Sequence, residues 1–96
     1  MESRYRVVAG RSFDKDLRRI RRRAPRALEA LIGAAGLLRE DPFNLRGHAN
    51  ISKLVDIRAG EGQFRLRLGD WRLRYDVVGE DVVLHSMRPR SESYRP

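Results

Sequence analysis

The sequence predicts an α+β fold in which two N-terminal helices pack on one face of a small, antiparallel-rich sheet. Three observations predict it. Apolar residues recur at helical spacing between Phe13 and Leu38. They alternate at strand spacing between Phe64 and Val77. The dipeptide Gly69-Asp70 divides that alternating run into a hairpin. A period of about 3.6 buries one stripe of a helix, and a period of about 2 buries one face of a sheet. A β-α-α-β-β-β order brings those two surfaces together around one core. At 96 residues the chain is expected to be a single domain over residues 1–96.

The elements follow in order. Residues 4–9 read as a first strand, which Gly10-Arg11-Ser12 breaks. Ser12 is a candidate helix cap. Phe13, Leu17 and Ile20 form one apolar face, and Lys15, Arg18, Arg19, Arg21, Arg22 and Arg23 occupy the other. Pro25 restarts the chain as a first-turn proline. Leu28, Leu31, Ile32, Ala35 and Leu38 carry the helical period onward to Glu40, and Asp41-Pro42 stops it. Gly33 and Gly36 each cost this helix about 1 kcal/mol relative to alanine. Close packing on a neighbour is their expected use. Residues 43–50 read as a loop, Ser52–Arg58 as a strand and 59–62 as a turn. Three further strands are expected at Phe64–Leu68, Trp71–Val77 and Val82–Met87, followed by a polar, basic tail from Arg88.

Composition narrows the function. Lys and Arg number 21 against 13 acidic residues, a net charge of +8, which favours a polyanionic partner, usually nucleic acid. Only Lys15 and Lys53 are lysines, so the cations are overwhelmingly arginine. The lack of cysteine excludes disulfides and thiolate metal sites. No apolar run approaches the roughly 20 residues that span a bilayer. Met1 to Gly10 has no apolar signal segment. A cytoplasmic protein with no membrane partner is expected. Carboxylates are scattered, and Asp14 and Asp16 fall at a helix start, where the helix dipole accounts for them. No glycine-rich phosphate loop precedes a Lys-Ser/Thr pair. No metal site and no cofactor are expected.

The hairpin carries the strongest signal. A two-residue loop sets Leu68 opposite Trp71, Arg67 opposite Arg72, Leu66 opposite Leu73, Arg65 opposite Arg74 and Phe64 opposite Tyr75. Side-chain alternation sends Phe64, Leu66, Leu68, Trp71, Leu73 and Tyr75 to the core. The other face presents Arg65, Arg67, Arg72 and Arg74 as a square of guanidinium groups, with Asp76 the nearby acid. Like charges directly opposite in a sheet cost up to about 1 kcal/mol per pair. A bound phosphate converts that repulsion to attraction, because an arginine fork matches phosphate oxygens. Arg88 arrives at the same end of the sheet as Arg67 and Arg72, with its face ambiguous by one residue of the loop at 79–81. Arg90, Tyr94 and Arg95 follow. His85 is expected mid-strand, level with Arg74, as a satisfied sheet histidine.

At these residues the sequence resembles the RelE/ParE toxin superfamily. The matching segments are Leu45-Arg-Gly47, Phe64-Arg-Leu-Arg-Leu-Gly-Asp-Trp-Arg-Leu-Arg-Tyr75 and Arg88-Pro-Arg-Ser-Glu-Ser-Tyr94. The resemblance implies the toxin of a type II toxin–antitoxin system, a ribosome-dependent endoribonuclease that cuts mRNA in the A site. The ribose 2′-OH attacks its own 3′-phosphate with no metal required. The resemblance assigns Arg67 and Arg72 to the scissile phosphate, Arg65 to its binding, Arg88 to the leaving group and Tyr94 to general-base catalysis. Arg74, Arg90 and the Arg21-Arg22-Arg23 run are added as RNA-binding candidates. Some relatives carry lysine where this chain has Arg65 and Arg67, and residues 48–63 form a longer connection than is usual. The same fold also serves gyrase inhibitors of the ParE type, which have no nuclease chemistry, and a plain nucleic-acid-binding module is a third possibility. The family implies a cognate antitoxin with an acidic, partly disordered segment, forming a hetero-oligomer. It also implies mRNA on the 70S ribosome as the target. The antitoxin segment is expected along the helices near Arg18 to Arg23 and over the sheet edge or the hairpin patch.

Overall fold

The computed structural model describes residues 4–47 and 49–93. The chain runs β1 (Arg6–Ala9), α1 (Phe13–Arg23), α2 (Pro25–Glu40), β2 (Ile51–Lys53), β3 (Phe64–Leu68), β4 (Trp71–Val78), β5 (Asp81–Pro89) and the short α3 (Arg90–Ser93). The five strands form one sheet in the order β1-β5-β4-β3-β2. Strands β2 to β5 are antiparallel neighbours, and β1 joins the far edge parallel to β5. The predicted α+β class with both helices on one sheet face holds. The parallel edge is new: from β1 the chain passes through α1 and α2 to β2 on the opposite edge and returns strand by strand to β5, which reaches β1 in the parallel sense.

One core lies between the helices and the sheet. Phe13 and Ile20 of α1 and Ala27, Leu31, Ala34 and Leu38 of α2 meet Leu66, Leu73, Tyr75, Val82, Leu84 and Met87. The buried stripe of α1 is the expected one. That of α2 is rotated: Ala27 and Ala34 are buried, whereas Ile32 is 65% exposed. Positions 27, 31, 34 and 38 follow the helical repeat, and small residues on that line let the helix approach the sheet. A Cβ at Gly33 or Gly36 would meet nothing within 4 Å, so neither glycine serves close packing within the chain. Ser12 makes no side-chain cap; its hydroxyl donates to the His85 carbonyl across the sheet edge. Pro25 begins α2 as expected.

The strand expected at Ser52–Arg58 is much shorter. β2 ends at Lys53, and Asp56, Gly60 and Gly62 all adopt positive φ, which no regular strand accommodates. The segment instead folds across the open face of the sheet. Asp76, 3% exposed, holds it there: the Gly62 N–H donates to its carboxylate at 2.9 Å and the Gln63 N–H at 3.1 Å. Arg74 completes the clamp by donating to the carbonyls of Gly62 and Glu61. β5 runs two residues beyond its expected end at Met87, and the tail then turns into α3.

Candidate nucleic-acid interface

The hairpin register is the predicted one at all five pairs, including Arg65 with Arg74 and Arg67 with Arg72. The turn at Gly79 and Glu80 pairs Asp81 with Val78, a register that by itself would set Met87 opposite Arg72; the one-residue shift between Arg74 and Tyr75 instead brings Arg88 opposite Arg72, on the same face. One row across the sheet is therefore Arg67, Arg72 and Arg88, and the next is Arg65, Arg74 and Ser86. His85 does not lie level with Arg74. A register shift between Arg74 and Tyr75 leaves His85 as the extra residue of a bulge, between the Ser86–Arg74 and Leu84–Tyr75 pairs.

The five arginines differ in environment. Arg67 and Arg88 are exposed, and Arg65 and Arg74 are half-buried. Arg72 is 3% exposed. Its Nη1 donates to the carbonyls of Gly69 at 2.6 Å and Trp71 at 2.9 Å, fastening the guanidinium to the hairpin turn. The Nε atoms of Arg72 and Arg65 are buried and have no hydrogen-bond partner. Among the described residues no carboxylate pairs with Arg65, Arg67 or Arg72. A buried donor left unpaired costs about 1–3 kcal/mol, and more when charged. Arg74 has its Nε and Nη2 engaged by the 54–63 loop, so it holds that loop.

The family model of the ParE toxin of type II toxin–antitoxin systems, parDE, matches residues 7–94. The chain belongs to the ParE toxin family. It is a toxin of a type II toxin–antitoxin system, within the wider RelE/ParE group that the motifs indicated. A search of curated proteins finds no match. Among solved structures, this toxin resembles the archaeal RelE–RelB complex from Pyrococcus horikoshii OT3 with a TM-score of 0.68 and 21% identity, covering 91% of this chain and 96% of that one. It also resembles the RelB–RelE antitoxin–toxin complex from Methanococcus jannaschii, with a TM-score of 0.53 and 21% identity over 91% of this chain and 94% of that one. At this identity the likeness is one of fold.

The remaining candidates of the toxin lie apart. Arg21, Arg22 and Arg23 end α1 and are exposed, but α1 packs on the core face of the sheet, so they do not join the arginine rows. Arg22 and Arg23 instead line a groove of about 410 Å³ with Lys15, Arg18 and Arg19. Arg90 begins α3 beside the hairpin turn, its N–H donating to the Asp70 carbonyl. Tyr94, the expected general base, lies outside the described residues, as does His48. No described helix is long and apolar enough to cross a membrane.

Sequence reading missed Asp16. Its Oδ2 accepts the Met87 N–H at 2.9 Å and lies 3.8 Å from Arg88 Nε. β1 ends at Ala9, opposite Leu84, so the outer edge of β5 beyond that point lacks a strand partner, and α1 supplies one. The spacing of Asp14 and Asp16 contains no trace of this, because β5 lies 71 residues further along the chain.

Proposed function

We propose that this toxin cleaves mRNA in the ribosomal A site by attack of a ribose 2′-OH on its own 3′-phosphate, with no metal ion taking part. The supporting observation is the Arg67–Arg72–Arg88 row, whose central member is buried without a carboxylate partner among the described residues. As the 2′-oxygen bonds to phosphorus, negative charge accumulates on the phosphoryl oxygens, and preorganised cations at that point lower the barrier. The bond to the 5′-oxygen then breaks, giving a 2′,3′-cyclic phosphate and a 5′-oxyanion that takes a proton from water to become the 5′-hydroxyl. Arg67 and Arg88, the exposed ends of the row, bind the phosphoryl oxygens, and Arg88 also stabilises the departing oxygen. Arg72 raises the positive potential beneath them. Arg65 and Arg90 extend the cationic track. Arginine stabilises charge but does not serve as a base, so the 2′ proton goes to Tyr94.

The partners follow from the same reading. A cognate antitoxin with an acidic segment masks the toxin in a hetero-oligomer, as the two archaeal toxins are each complexed with a RelB antitoxin. The groove lined by Lys15, Arg18, Arg19, Arg22 and Arg23 has the charge that suits such a segment. A second reading, inhibition of DNA gyrase without nuclease chemistry, is favoured by the match to the ParE family model.

The deciding experiment is mRNA cleavage in a purified translation system, with and without ribosomes, for the wild type, Arg88→Ala and Tyr94→Phe. Ribosome-dependent cleavage that falls by orders of magnitude in both variants is the expected result. No cleavage under any condition, with inhibition of gyrase supercoiling, establishes the second reading instead.

A further inference from the structure

The open face of the sheet changes character one row beyond the arginines. There a cleft of about 330 Å³ is lined by Arg11, Gly60, Asp76, Val78, Val83 and His85, together with the Gly10–Ser12 turn. Its volume is at the lower end of the roughly 300–1,000 Å³ of small-ligand clefts. A step of two residues along a strand is about 7 Å, so the Asp76–Val83 row follows directly after the Arg74–Ser86 row. A Cβ built on Gly62 would lie 3.1 Å from Arg74 Nε and 3.2 Å from His85 Cδ2, so the imidazole and the guanidinium flank the same point of the loop. The bulge that makes His85 the extra residue brings its ring to this cleft.

We infer that this cleft is a nucleobase subsite that prefers a base carrying an exocyclic amino group over uracil. The inference rests on the nucleic-acid reading of the adjacent arginine row. Val78 and Val83 offer apolar contact to the faces of a flat ring, and the His85 imidazole offers a stacking surface of the kind that receives splayed RNA bases. The Asp76 carboxylate repels a phosphate and so reserves the cleft for the base, while the arginines take the phosphate. An ionised carboxylate has about four acceptor sites, and the Gly62 and Gln63 N–H groups use two. The remaining acceptors suit the amino group of adenine, cytosine or guanine. Uracil offers a single N3–H between two carbonyl oxygens, which repel the carboxylate.

The test is an NMR titration of the intact, ¹⁵N-labelled toxin with AMP, CMP, GMP and UMP, following the amides of Gly60, Val83 and His85 and, separately, those of Arg65, Arg67 and Arg88. AMP, CMP and GMP are expected to shift the cleft amides and to bind roughly tenfold more tightly than UMP, the effect of one hydrogen bond to a charged group. Asp76→Asn is expected to erase the preference. Because Asp76 also anchors the 54–63 loop, Val83→Gln serves as the second variant: it fills the cleft against bases without placing a second carboxylate opposite Asp76. Equal affinity for all four nucleotides, or shifts confined to the arginine amides, overturns the subsite and leaves the phosphate site standing. Absence of shifts in both regions overturns both.

Discussion

Arg72 and Arg88 are register partners on neighbouring strands, yet Arg72 is 3% exposed while Arg88 keeps 55% of its side chain in solvent. The buried member has two backbone acceptors for its Nη1 but an unpaired Nε and no carboxylate partner among the described residues, so its charge is a cost to the fold. Arg72→Met is therefore expected to leave stability unchanged or raise it by about 1–3 kcal/mol, as when other buried charges give way to apolar groups of similar volume. Cleavage is expected to fall about tenfold, less than for a lost direct contact, because Arg72 acts through the potential it adds beneath Arg67 and Arg88. Thermal unfolding alongside the cleavage assay checks both halves. A variant that unfolds more easily and remains active would contradict the assignment.

Asp76 secures the loop that bounds the arginine cluster. Asp76→Ala removes the acceptor of two backbone donors, one of them on buried Gly62. A loss of about 2–3 kcal/mol is expected. Urea unfolding measures the loss, and faster amide exchange at Gly62 and Gln63 locates it.

Tyr75 is fully buried, and its hydroxyl donates to the Pro42 carbonyl at 2.6 Å, tying the sheet to the end of α2. Tyr75→Phe is expected to cost about 1 kcal/mol. Burial first, and then the nearby Asp41 carboxylate, raises its pKa above the ordinary 10.0. The folded protein thus keeps the phenolic proton where the unfolded chain has lost it. The associated stability is complete below pH 10 and declines as pH rises beyond it, by at most about 1.4 kcal/mol per unit. Unfolding free energies between pH 9 and 11 should show this decline in the wild type and a weaker one in Tyr75→Phe.

Gly10 lies where β1 leaves the sheet. A Cβ there would stand 2.6 Å from the Leu84 carbonyl oxygen, which also accepts the Gly10 N–H at 2.8 Å. The clash is with backbone in the middle of the sheet and cannot be relieved by a side-chain rotation. Gly10→Ala is expected to destabilise by about 2 kcal/mol, within the range of overpacked cores, as read from the denaturation midpoint.

The basic groove on α1 offers a test of the antitoxin surface that leaves the arginine rows untouched. Arg18→Glu with Arg22→Glu is expected to weaken antitoxin binding at least tenfold, with stability changed by less than about 0.5 kcal/mol. Calorimetric titration at two salt concentrations checks it. Wild-type affinity should fall with salt, and the variant should lose much of that dependence.

The toxin's sequence by itself determined the hairpin. A two-residue turn and strict alternation leave one register, so Arg65, Arg67, Arg72 and Arg74 had to share a face and Tyr75 had to enter the core. It also determined the two helices and the proline that restarts the second, because these depend on residues within a turn or two of one another. The tertiary structure decided the rest. The parallel placement of β1, the reach of Asp16 to Met87 and the loop held by Arg74 and Asp76 all join segments at least 12 residues apart, and the bulge at His85 breaks a register that the turn alone would have continued. Periodicity has no memory over such distances. Whether an arginine is exposed or buried depends on what folds over it. That is why four residues with the same pattern became an exposed cation in Arg67, a half-buried one in Arg65, a loop clamp in Arg74 and a buried cation in Arg72.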